Sequence, residues 1–141
     1  DAAPVLLELA KTSTDAKLKA RAMRGYIRIA RQLNMSNQQR MAMFREALAT
    51  AWRDEEKRIV LEALAADRRP SRESLALVLS QLDNPGLKAE AGAAAVRIGE
   101  KLLQSQPAAV AKAMKRLLDA GVAGEQAERA KALLEQATKK R

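Results

Sequence analysis

Amphipathic helical stripes recur along this chain at a period of about 35 residues. Gly25-Tyr26-Ile27-Arg28-Ile29-Ala30 is echoed two periods later by Ala94-Ala95-Val96-Arg97-Ile98-Gly99, an offset of 69 between Arg28 and Arg97. Leu75, Leu79 and Leu82 are echoed by Val110, Met114 and Leu117 at an offset of 35. A helical repeat this short cannot bury its apolar face alone and must stack on its neighbours. The expected fold is therefore all-α: an α-solenoid of four antiparallel helix pairs wound as a right-handed superhelix. Solenoids present extended surfaces, so binding is a more natural expectation than a compact catalytic pocket.

The apolar fraction is of the kind such stacking needs. It makes up 48% of the chain, yet it contains one Phe, one Trp and one Tyr, so Ala, Leu, Val, Ile and Met must build the core. Ala and Leu favour helices, whereas strands favour β-branched and aromatic residues. The chain has no His and no Cys. A Cys nucleophile, a disulfide, a His general base and an ordinary zinc site are all excluded. No carboxylate is isolated in an apolar stretch, so neither an enzyme activity nor a cofactor is expected. No apolar run approaches the roughly 20 residues that span a bilayer, and no membrane association is expected. The chain opens at Asp1 rather than Met, with residues that read as the inside of a domain. It is expected to be one domain over residues 1–141 and a fragment or processed product of a longer chain, which leaves its compartment unassigned.

Capping signals divide the chain into pairs. Helix one is expected over residues 3–10 and helix two over 16–33, after Thr12-Ser13-Thr14-Asp15. Leu18, Ala22, Tyr26, Ile29 and Leu33 form its apolar stripe, and Asn34 suits its end. Ser36-Asn37-Gln38-Gln39 is a capping-box pattern that opens the second pair, with Met41, Phe44, Leu48 and Ala51 inward. Its partner begins near Asp54, with Glu55 and Glu56 in the first turn, where the helix dipole favours them. Ser71 opens the third pair, and Leu75, Val78, Leu79 and Leu82 face inward. Asn84-Pro85 is expected to start the following helix, whose inward face is Leu87, Ala91, Ala94, Ala95, Ile98 and Leu102. Gly92 and Gly99 inside it each cost about 1 kcal/mol relative to Ala, and close helix packing is the expected reason for them. The fourth pair runs from Pro107 to a Gly121 C-cap, then over residues 124–138. Ala127, Ala130, Leu133, Leu134 and Ala137 face inward there, and Lys139-Lys140-Arg141 forms a basic tail.

The helix pairs, the Asp83-Asn84-Pro85 turn and the pattern Ala91-Gly92-Ala93-Ala94-Ala95-Val96-Arg97-Ile98-Gly99 resemble HEAT repeats of the armadillo-type superfamily. Residues 71–103 carry the resemblance best, and the other repeats follow it more by period than by residues. Pro4-Val5-Leu6-Leu7-Glu8-Leu9-Ala10 with Arg24-Gly25-Tyr26-Ile27-Arg28 also resembles solenoid modules that accompany large bacterial proteins, including secreted ones. The resemblance implies a scaffold that binds a partner and has no catalysis of its own. It also implies a bacterial setting and admits an extracytoplasmic one.

The net charge is +9, concentrated at the two ends. Residues 1–34 carry 7 basic and 3 acidic groups, residues 106–141 carry 8 and 4, and the middle is nearly balanced. The sharpest local feature is a row of Lys17, Arg21, Arg24, Arg28 and Arg31. Their steps of 4, 3, 4 and 3 place them within an arc of about 80° on one helix. Arg97 occupies the position that matches Arg28. Arginines so arranged could take carboxylates or phosphates, or they could be a solvated face partnered by Asp54, Glu55, Glu56 or Glu62. The row does not continue through the second repeat, where Glu62 stands, and Tyr26 lies on the apolar face. A duplex groove and single-strand stacking are thus both poorly supported. Trp52-Arg53-Asp54 could be a recognition cluster, but a Trp covering the hinge of the second pair is the preferred reading. The five Met residues are expected to fill the core. The leading expectation is a scaffold that binds another protein or a neighbouring domain of its parent chain. The alternative is a module that binds nucleic acid or another polyanion. A small-molecule substrate is not expected.

Overall fold

The computed structural model describes residues 2–32 and 35–139. Among them there are eight helices and no strands: α1 (Ala2–Thr12), α2 (Ala16–Gln32), α3 (Asn37–Thr50), α4 (Asp54–Ala66), α5 (Arg72–Leu79), α6 (Lys88–Leu102), α7 (Pro107–Asp119) and α8 (Glu125–Lys139). The all-α class read from the sequence is the class observed. Leu33 and Asn34, expected to close the second helix, and Lys140 and Arg141 of the basic tail lie outside the described residues. No helix among the described residues is long and apolar enough to cross a membrane. The chain divides into two compact units, residues 1–63 and 64–141.

In the first unit α2 packs against both α1 and α3, and α1 also meets α3. Two neighbours widen the buried arc beyond the single stripe expected. Ala20, Ala22, Met23, Tyr26, Ile27 and Ala30 are buried, spanning about 160° of the helix. Leu18, expected inside, is 38% exposed, and Ile29 is half-buried. Both fall at the edge of that arc. Gly25 admits α1: a Cβ there would stand 3.2 Å from the Leu6 side chain. The capping box of α3 forms as its sequence predicts. The Ser36 hydroxyl accepts from the Gln39 amide, and the Gln39 side chain accepts from the Ser36 amide. Met41, Phe44, Leu48 and Ala51 are buried as expected.

In the second unit Ser71 caps α5 reciprocally with Ser74, and Leu75, Val78, Leu79 and Leu82 are buried. Asn84-Pro85 does not start α6. The Asn84 side chain accepts from the Gly86 amide at 3.0 Å, and its carbonyl accepts from the Leu87 amide at 2.9 Å. The chain therefore closes one turn before the helix begins at Lys88. An Asx side chain bonded to the backbone two residues on favours such a turn. α6 then packs against α5, α7 and α8, and it is buried at Ala91, Gly92, Ala94, Ala95, Val96, Ile98, Gly99 and Leu102.

The glycines of α6 are notches for specific side chains. A Cβ on Gly92 would lie 3.2 Å from Val122, and one on Gly99 would lie 3.3 Å from Met114 and 3.5 Å from Leu133. The end of α7 aims Val122 at its notch. Gly121 turns into the left-handed region at φ +84°. Its amide donates to the Leu118 carbonyl, and the Val122 amide donates to the Leu117 carbonyl. These two bonds form a Schellman ending, which satisfies the last carbonyls and directs the next apolar side chain back onto the core. At the C-terminus of α4 the Lys101 ammonium donates to the carbonyls of Ala65 at 2.9 Å and Asp67 at 2.7 Å. A cation is favoured there by the helix dipole.

Two stability changes follow. Ile98→Ala and Leu79→Ala should each cost about 2–5 kcal/mol by lost burial and cavity formation, with Leu79, 8% exposed against 0% for Ile98, at the lower end. Gly121→Ala should cost about 1 kcal/mol, although nothing crowds the site, because the left-handed backbone opposes any Cβ. Urea denaturation of the three variants checks both; changes below about 0.5 kcal/mol would contradict this packing.

Candidate functional site

The basic row of α2 is exposed along its whole length: Lys17, Arg21, Arg24, Arg28 and Arg31 all face solvent. The buried arc of the helix ends at Ile27 and Ala20, and the basic row occupies the next part of its circumference. Its members do not share one environment. Arg24, Arg28 and Arg31 border an open depression of about 500 Å³ in the first unit, with Ile27 and Ile59 beneath them. Lys17 and Arg21 stand nearer the start of α2 and do not line that depression. Arg97 is exposed on α6, in the second unit.

Arg24 is committed to an internal ion cluster. Its Nε donates to Glu56 at 3.2 Å, and its Nη2 lies 3.5 Å from Glu55. Glu56 is only 1% exposed. Arg53 meets the same carboxylate with a two-pronged grip, Nε to Oε1 at 2.7 Å and Nη2 to Oε2 at 2.8 Å. The two arginines and two glutamates sum to no net charge. A buried carboxylate without such partners would carry a large desolvation cost, and the paired guanidinium fork is the geometry that offsets it best. Burial alone would push the Glu56 carboxyl up. The hydrogen bonds and charge of Arg53, followed by those of Arg24, outweigh burial and hold it below its ordinary value. The Arg53 guanidinium is pushed up in turn, chiefly by its hydrogen bond to Glu56. Among the partners expected for the row, Glu55 and Glu56 are therefore seen to serve, and both serve Arg24.

Arg28 and Arg31 differ from Arg24. Among the described residues no carboxylate lies within ion-pair distance of either guanidinium, nor of Lys17 or Arg21, and no cation lies within that distance of Glu62. Among the described residues the depression thus has one neutralised end at Arg24 and two cations, Arg28 and Arg31, without a carboxylate partner along its side.

Trp52 lies in the connection between α3 and α4 and is 53% exposed. The Lys19 ammonium and the Arg53 guanidinium sit 5.4 and 5.5 Å from its ring centre, within cation–π range. The ring helps to line a small cleft with Ala20, Met23 and Glu56, so it abuts the same ion cluster from another side. The buried role of Glu56 is not what the sequence reading assigns it, which is a place in the first helical turn favoured by the dipole and a possible partnership with the basic row. A signal was nevertheless present: Glu56 is in phase with Val60, Ala63 and Leu64, the apolar face of α4. The double cap by Lys101 has no comparable signal, because its acceptors are backbone carbonyls more than thirty residues away.

No protein-family model, curated protein or solved structure matches this chain.

The ion cluster makes stability depend on acid. Because the folded state holds the Glu56 carboxyl below its ordinary value of 4.5, its contribution is complete above that value. It fades as pH falls through the lower, folded-state value. Glu56→Gln should cost about 1–3 kcal/mol at pH 7, less than a wholly buried pair because Arg24 and Arg53 can still reach water. The gap between parent and variant should narrow steadily below pH 4.5. Urea melts of both proteins from pH 7 to pH 3 measure it, and a gap independent of pH would contradict the assignment.

Proposed function

We propose that this chain is a HEAT-like α-solenoid module, without catalysis of its own, that binds another protein or a neighbouring domain of its parent chain. Several observations support the architectural part. α3, α5 and α7 begin at residues 37, 72 and 107, each 35 after the last. Within the first unit α1 meets α3, and within the second α5 meets α7 while α6 meets α8. Contacts between alternate helices are what layers of stacked pairs produce. Four antiparallel pairs in a right-handed superhelix over residues 1–141 remain the reading these features support best.

The observation that carries the binding part is the exposed basic face of α2, with Arg28 and Arg31 beside an open depression and without a carboxylate partner among the described residues. Guanidiniums on a rigid helix are pre-organised for carboxylates, and Arg is favoured at protein contacts. The polyanion alternative receives less support. Glu55 and Glu56 neutralise Arg24 within the row, Tyr26 is buried, and a phosphate track wants many unopposed cations.

The test is a photocrosslinking amino acid in place of Arg21, introduced into the protein as it is expressed in its own cells. Arg21 is exposed on the basic face but does not line the depression. Adducts with polypeptide are expected. Adducts with nucleic acid alone would replace this reading with the polyanion one.

A further inference from the structure

We infer that the depression between α2 and α4 in the first unit is a docking groove for one kind of ligand: an acidic, aliphatic segment of a partner polypeptide. The inference rests on the protein-binding reading above and specifies which surface acts and what chemistry it accepts. Arg28 and Arg31 are exposed, three residues apart, and have no carboxylate partner among the described residues. Side chains at that spacing stand about 5–6 Å apart at their bases, which suits two carboxylates one helical turn apart on an approaching segment. The half-buried Ile59, next to the buried Ile27, supplies the apolar part of the lining, so an aliphatic side chain between those carboxylates would leave water as the salt bridges form.

The ends of the groove explain its selectivity. Arg24 borders it too, but Glu55 and Glu56 hold that guanidinium and cancel its charge. A polyphosphate passing along the row would find no net charge to hold it at that end. A short segment with two carboxylates needs only Arg28 and Arg31. Glu62, exposed one turn beyond Ile59 on α4, likewise disfavours a continuous anion. Trp52, the exposed ring of this unit, is engaged with Lys19 and Arg53, and the groove itself has no ring on which a base could stack. Charge complementarity therefore selects discrete carboxylates, and the isoleucines select aliphatic rather than purely polar neighbours.

The test uses the 141-residue chain and three fluorescein-labelled probes at 150 mM salt, read by anisotropy. The first is a 15-residue helical peptide with paired Glu and Leu on one face, the second replaces each Leu with Ser at equal charge, and the third is a 15-residue oligo-dT. The first probe should bind at least tenfold more tightly than either of the others. Replacing Arg28 and Arg31 together with Ala should weaken it at least tenfold, whereas Lys115→Ala, at an exposed position on α7, should change it less than twofold. Ile59→Ser should weaken the Leu peptide and leave the Ser peptide unchanged. Circular dichroism confirms folding, and the two surface arginine changes carry the test if Ile59→Ser does not fold. Absence of binding at millimolar peptide, equal binding by the double variant, or oligo-dT binding as tight as the peptide would each overturn the groove. So would self-association of the chain that the double variant abolishes, because a second copy would then be the occupant. If the peptide fails while the Arg21 crosslinker still captures polypeptide, the groove is wrong and the scaffold reading stands. Capture of nucleic acid alone removes both.

Discussion

A carboxylate withdrawn from water must be met by cations, and in the first unit that demand falls on Glu56. Arg53 reaches it from the connection before α4, and Arg24 reaches it from the middle of α2. The pairing ties the first turn of α4 to the flank of α2 and holds Ile59 opposite Ile27, which makes the depression. The same pairing divides the basic row. It neutralises Arg24 and leaves Arg28 and Arg31, among the described residues, without a carboxylate partner beside Ile59. A structural ion cluster and a candidate binding groove are thus two consequences of one buried charge. A buried ion pair is a weak source of net stability compared with apolar packing. Its effect here is to specify which surfaces of α2 and α4 face one another.

The second unit solves a different problem. With no Phe, Tyr or Trp among residues 64–141, its core must be filled by small and aliphatic side chains, so helices must come close together. α6 meets three neighbouring helices and carries glycine where a neighbour's side chain comes closest. Val122 fills one notch, and Met114 with Leu133 fills the other. The approach of Val122 depends on the left-handed turn at Gly121, so a local backbone preference is converted directly into tertiary packing. Lys101 completes the arrangement by closing the exposed carbonyl end of α4.

What could be read in the sequence was mainly what is local and periodic. The Ser36 and Ser71 caps, the start at Pro107, the Gly121 ending and the buried stripes of α3, α5 and α6 follow from neighbours within one or two turns. The readings that failed were those that tertiary context decides. Leu18 lost its place in the core because α2 serves two partner helices and its buried arc turned toward Met23 and Ile27. Asn84 bonded its own turn rather than the helix that follows. Most consequentially, the basic row looked uniform because its spacing is uniform. Nothing local to α2 distinguishes Arg24 from Arg28, and the difference comes from a carboxylate 32 residues away that is itself drawn inward by the apolar phase of α4.

The claim that this cluster organises the site reduces to a coupling between Arg24 and Glu56, which a double-mutant cycle measures without reference to any ligand. Arg24→Ala, Glu56→Ala and the double variant would be compared with the parent by urea denaturation at pH 7. The account predicts a coupling of about 1 kcal/mol or more, the range found for residues that share one ion-pair network. A coupling within about 0.3 kcal/mol of zero, the additivity expected of independent sites, would contradict it and leave Arg24 no different from the rest of the basic row.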